Sequence, residues 1–98
     1  MSQFEHELSE DIELKKPKMY KVMLLNDDFT SMEFVISILM NIFNKSEEDA
    51  YMITMHIHNN GSGLCGVYTY EIAETKVAQV ISSAKKSKFP LRAEMKEV

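Results

Sequence analysis

The chain has 98 residues, enough for one domain with a modest core and too few for a separate catalytic domain beside it. Its formal net charge is -4, and lysine clusters only at Lys15-Lys16-Lys18 and Lys85-Lys86-Lys88, so the basic face that nucleic acid requires is not expected. One cysteine, Cys65, gives neither a disulfide framework nor a thiolate metal cluster, and no segment approaches the ~20 apolar residues of a membrane span; a soluble protein of the reducing cytoplasm is expected, with no leader segment.

Residues 1–17 read as a flexible N-terminal tail and residues 18–98 as the core domain. The tail carries Glu5, Glu7, Glu10, Asp11 and Glu13 with scattered apolar residues and no turn signal. Phe4, Leu8 and Ile12 recur at helical spacing, which leaves room for a helix induced by a partner. The core opens with Met19 to Leu25. Tyr20, Val22 and Leu24 form a wholly apolar face and Met19, Lys21, Met23 and Leu25 a nearly apolar one, as suits a central strand.

The turn-forming side chains Asn26, Asp27 and Asp28 follow, and then Thr30 and Glu33 are expected to make a capping box at the start of a helix. In that helix Met32, Val35, Ile36, Leu39, Ile42 and Phe43 recur at three and four residues, with an end near Asn44-Lys45. Ser46 with Glu47, Glu48 and Asp49 marks a second helix start, since the first turn favours negative charge; this helix should run to about His58. Asn59-Asn60-Gly61-Ser62-Gly63 turns the chain into a strand at Leu64 to Tyr68.

Thr69 is placed to cap a third helix with Ala73, Val77, Val80, Ile81 and Ala84 on its buried side, Lys85, Lys86 and Lys88 at its C-terminus, and Pro90 as its stop. Leu91 to Val98 alternates Leu91, Ala93 and Met95 inward with Arg92, Glu94 and Lys96 outward. The order is β-α-α-β-α-β. It predicts a two-layer α+β single domain, a three-stranded antiparallel sheet carrying three helices on one side.

Asn26, Asp27 and Asp28 by themselves would be only turn and capping residues. Here the corner runs straight into a helix N-terminus with Met32 just behind it, and two carboxylates exceed what a turn needs. The result is an acidic site beside an apolar one, suited to a cationic or neutral partner. His56 and His58 lie about 200° apart around a helix axis, so they cannot ligate one ion and only one can face the corner. Cys65 reads as a small core residue, and Ser31 lacks the strained turn of a nucleophile. The eight methionines suit either core filling or a pocket that takes several bulky apolar groups.

Met19-Tyr20-Lys21-Val22, Leu25-Asn26-Asp27-Asp28-Phe29-Thr30, Met32-Glu33-Phe34-Val35, Cys65-Gly66-Val67-Tyr68-Thr69 and Ile72-Ala73-Glu74-Thr75-Lys76-Val77-Ala78 together resemble the ClpS family, bacterial adaptors that hand N-degron substrates to the ClpA-ClpP protease. The resemblance runs from Pro17 to Glu97 and leaves the first 16 residues unmatched. It implies a non-enzymatic adaptor whose pocket takes a first residue that is Leu, Phe, Tyr or Trp. By that resemblance Asn26, Asp28 and His58 bind the free α-amino group, and Asp27 belongs to the same corner. Met32 guards the hole against β-branched residues, and Thr30, Ser31, Val35, Thr54, Ile57 and Leu91 line the rest.

Glu71, Thr75 and Lys76 match the surface that docks on the N-terminal domain of a ClpA-type AAA+ unfoldase, and the unmatched tail would by that resemblance be the segment presented to it. The implied partners are that unfoldase and N-degron substrate proteins, with no nucleic acid, membrane, metal, cofactor or catalytic residue; a monomer is expected. Two departures stand out. Ser31 replaces a common proline, and Thr54 replaces a common methionine with a smaller polar group, so the ranking of first residues stays open. Two rivals remain at this point: a small acid-base or metal-dependent enzyme using Asp27, Asp28 and His58, and a protein-interaction domain, ribosomal-protein-like or anti-assembly, whose corner only caps a helix.

Overall fold

A computed structural model describes residues 16–98; the expected tail lies outside the described residues as far as Lys15. The elements are β1 (Met19–Leu25), α1 (Met32–Asn41), α2 (Glu47–Asn60), β2 (Ser62–Thr69), α3 (Tyr70–Lys86) and β3 (Arg92–Glu97), in the expected order. The sheet is antiparallel with strand order β2-β1-β3, so the strand that is apolar on both faces is the central one.

One register puts Val22 opposite Gly66 on β2 and Met95 on β3, and Leu24 opposite Gly63 and Ala93. Between Val22 and Met23 the β2 register slips by one residue. Cys65 is the extra residue, a bulge that lets both Cys65 and Gly63 face the core. All three helices pack on the Val22-Leu24 side. There Val22, Leu24, Leu39, Ala73 and Val80 reach 0% exposure. Among the described residues none packs over the opposite face of the sheet, where Leu64 and Val67 are about half exposed.

Helix α1 starts differently from the expected capping box. Ser31, not Thr30, is the N-cap: its backbone is extended (φ -68, ψ 150) and its Oγ accepts the Phe34 N–H at 3.2 Å. Thr30 is unavailable because its N–H and hydroxyl both donate to Asp27, at 2.7 Å each. The next hydroxyl therefore takes the cap. α1 also ends at Asn41 rather than near Asn44-Lys45, because Asn44 turns to φ 56 and Lys45 N–H donates back to the Leu39 carbonyl at 3.0 Å.

Helix α2 begins as expected, with Ser46 Oγ accepting the Asp49 N–H, and extends to Asn60, two residues beyond the expected end. Thr69 occupies the N-cap position of α3 but makes no side-chain cap bond. Ile81 departs from the expected buried side of α3. It is 38% exposed, whereas Val80, one residue and 100° earlier, is fully buried.

Candidate functional site

The end of β1 and the end of α2 are tied together by one backbone bond. Gly61 closes α2 in the left-handed region (φ 91), its N–H donating to the Ile57 carbonyl, and its own carbonyl accepts the Asn26 N–H at 2.8 Å. The last turn of α2, with His58 on it, is thereby held beside the Asn26 corner. α1 and α2 form a hairpin through the short connection at Ile42–Ser46, which returns the N-terminal turn of α1 to the same place. The three elements enclose a cavity of about 220 Å³ lined by Asn26, Asp27, Asp28, Thr30, Met32, Val35, Thr54, Ile57 and His58.

Its walls are graded. Thr54 and Ile57 at 3% exposure and Val35 at 7% form the inner part, while Met32 is 38% exposed and Asn26, Asp28 and His58 are exposed at the mouth. A polar rim with an acid on it thus leads to a buried, mostly apolar interior. The volume is below the roughly 300 Å³ at which small-molecule pockets begin, and suits one side chain better than a whole metabolite.

Asp27 differs from its neighbours in the corner. Oδ1 accepts the Phe29 N–H at 2.8 Å and the Thr30 N–H at 2.7 Å, and Oδ2 accepts the Thr30 hydroxyl. Burial alone would raise this carboxyl, but the bonds from Thr30 and Phe29, with Arg92 nearby, outweigh it and hold the group below the ordinary carboxylate value. Asp27 therefore fixes the loop that carries Asp28 and Phe29. Thr54 is the one buried polar residue among those described, and its hydroxyl donates to the Ala50 carbonyl at 2.8 Å.

Of the residues expected at the site, two stand elsewhere. Ser31 is engaged as the α1 cap, and Leu91, 4% exposed, is in the core ahead of β3 rather than on the cavity wall. His56 faces away from the cavity, its Nδ1 3.2 Å from the Asn60 side-chain amide. Sequence patterns did not single out Gly63, which supports the wall: a Cβ there would meet Ile57 Cγ1 at 2.6 Å, so only glycine lets β2 approach the inner wall this closely. Cys65 is buried, and burial pushes its thiol up to about 12, against the opposing effects of a Leu24 backbone bond and Lys45. It is inert.

On α3, Glu71 and Thr75 are exposed, with the Thr75 hydroxyl donating to the Glu71 carbonyl at 2.9 Å. Lys76 is spent inside the fold. Its ammonium donates to the Ile42 carbonyl at 2.6 Å, just past the end of α1, and sits 5.7 Å from the Tyr68 ring centroid.

Comparison with known proteins places this architecture. The family profile described as ATP-dependent Clp protease adaptor protein ClpS matches residues 15–94. Curated relatives named ATP-dependent Clp protease adapter protein ClpS include that of Maricaulis maris, 58% identical over 83 residues (85% of this chain, 76% of the relative), and that of Wolinella succinogenes, 49% identical over 96 residues (98% and 94%). A solved structure of Agrobacterium tumefaciens ClpS2 bound to L-phenylalaninamide superposes with a TM-score of 0.82 at 40% identity, covering 85% of this chain and 100% of that one. The graded cavity, the β-α-α-β-α-β core and these likenesses converge: the chain belongs to the ClpS family of Clp protease adaptors, whose role is non-enzymatic.

Proposed function

We propose that this protein is a substrate adaptor that captures proteins by a free, bulky hydrophobic first residue (Leu, Phe, Tyr or Trp) and delivers them to a Clp AAA+ unfoldase for degradation. The observation that carries this is the gradient of the cavity, from the exposed Asn26, Asp28 and His58 to the buried Val35 and Ile57. An α-amino group with a pKa near 8 is mostly cationic at neutral pH. Its three N–H donors match a carboxylate, an amide oxygen and an imidazole acceptor at the rim. Burying a Leu or Phe side chain behind it contributes on the order of 1.5 to 3 kcal/mol.

The ligand of Agrobacterium ClpS2, L-phenylalaninamide, is a free amine joined to a benzyl group, the chemistry this gradient fits. Met32, at the mouth, excludes β-branched first residues by collision. Asp27 acts by holding the loop, and the other lining residues shape the hole. The exposed Glu71 and Thr75 are the proposed contact to the N-terminal domain of a ClpA-type unfoldase, with Lys76 bracing the helix behind them. The adaptor acts as a monomer in the reducing cytoplasm, a compartment consistent with its single, buried cysteine.

A metal or acid-base site at Asp27, Asp28 and His58 is the alternative reading. Among the described residues no three His, Cys, Asp or Glu side chains group closely enough to hold a metal, and both Asp27 oxygens are already bonded. The proposal is tested by titrating peptides that start with Leu or Phe against their N-acetylated forms, which lose both the charge and the donors. Free-amine peptides should bind at least tenfold more tightly. Equal binding of the two forms contradicts it.

A further inference from the structure

We infer that Thr54 makes the cavity selective for a first residue that ends in a hydrogen-bond donor, so that tyrosine is preferred over phenylalanine; this rests on the proposed binding of first residues in that cavity. The rim and the interior assign the two ends of a bound residue. Asn26, Asp28 and His58 are exposed and suit the amine, while Thr54, Val35 and Ile57 are buried lining residues, where the far end of a side chain entering from that rim would come to rest. Thr54 is the one buried polar side chain described, and it lies on that inner wall.

A threonine hydroxyl has one donor and two acceptor lone pairs. The Thr54 donor is committed, at 2.8 Å, to the Ala50 carbonyl one turn earlier in α2. That bond fixes the χ1 rotor and leaves only acceptor capacity on the oxygen. A donor arriving from the mouth is therefore complementary: a phenol O–H is satisfied, whereas a benzyl group leaves the lone pair unmatched. In an all-apolar wall the order would be the reverse, because burying an unpaired phenol costs more than burying a phenyl ring. The hydroxyl at 54 thus sets the sign of the discrimination, and built-in polar partners discriminate better than apolar fit does.

The test measures affinities of free-amine peptides that differ only in the first residue, Tyr, Phe or 4-methylphenylalanine, for the wild-type chain, Thr54→Ser and Thr54→Val. 4-Methylphenylalanine has the shape of tyrosine without its donor. Wild type should bind the Tyr peptide about fivefold more tightly than either of the others, the ratio one neutral hydrogen bond yields. Thr54→Ser should keep that order. Thr54→Val, with its fold checked by circular dichroism, should lose or invert it while still binding the Phe peptide. Equal wild-type affinity for Tyr and 4-methylphenylalanine overturns the inference, and so does a Tyr preference that survives in Thr54→Val. If none of the three peptides binds wild type, the first-residue pocket itself fails and the inference falls with it.

Discussion

Asp27 sits at the mouth of the cavity with both carboxylate oxygens already bonded to Phe29 and Thr30. Its depressed pKa means that the folded state prefers the ionised form. The stability this contributes is present above the ordinary carboxylate range and is lost as pH falls through that range towards the lower folded value. Asp27→Asn removes the charge and leaves one acceptor oxygen for three donors. It should lower stability to denaturant at about pH 7, and the gap to wild type should narrow as pH falls below the ordinary carboxylate range, where the wild-type carboxyl also takes up protons. A gap of constant size across that range would deny the carboxylate its role in the loop. From the residue types alone Asp27 and Asp28 are equivalent. What separates them is which one the following backbone folds onto, and the competition between Thr30 and Ser31 for the helix cap turns on the same choice.

Among the elements, those bounded by local chemistry were legible in the sequence. Ser46 with three acids after it and the doubly apolar β1 each specify their structure within a few residues and are found as expected; Gly61 ends α2, but the turn is tighter than the expected Asn59–Gly63, with Asn59 and Asn60 still helical and Ser62 and Gly63 already in β2. The departures lie where a neighbour decides. Ile81 and Val80 both fit an apolar stripe on α3, and the angle at which the helix meets the sheet buries only Val80. Leu91 alternates correctly with β3 but is a core residue and not among those that line the cavity. Lys76 looks like a solvated helix residue until the end of α1 arrives beside it. Gly61 links element to site, since it terminates α2 at φ 91 and its carbonyl holds Asn26. Nothing lies within 4 Å of where its Cβ would be, so Gly61→Ala pays in backbone strain alone, about 1 kcal/mol. Thermal unfolding should show that loss. The peptide affinity should fall with it, because the Asn26 corner shifts when its anchor does; an unchanged melting curve would mean the turn tolerates alanine.

At the scale of the whole molecule, two stretches well separated in sequence meet at one cavity: the corner that runs from the end of β1 into the first turn of α1, and the C-terminal half of α2. The hairpin of helices, the Gly61 anchor and the close approach at Gly63 bring them there. The rest of the described surface is chemically distinct, with Glu71 and Thr75 exposed on α3 and Leu64 and Val67 about half exposed on the sheet face away from the helices. The family, the β-α-α-β-α-β order and a pocket-lining place for Thr54 could be read from motifs, whereas the depth of the cavity, and the bond that commits the Thr54 hydroxyl to the Ala50 carbonyl, emerge only in three dimensions. The central claim is that this cavity, and no other surface, receives the first residue of a substrate. Its most direct test is an amide proton–nitrogen correlation spectrum recorded while a free-amine, Phe-initiated peptide is titrated in. Binding in the cavity should give saturable shifts concentrated at Asn26, Asp28, Met32, Thr54, His58 and Gly61; shifts confined to the outer face of α3 or the sheet face that carries Leu64 and Val67, with the Asn26 corner unmoved, would contradict that claim.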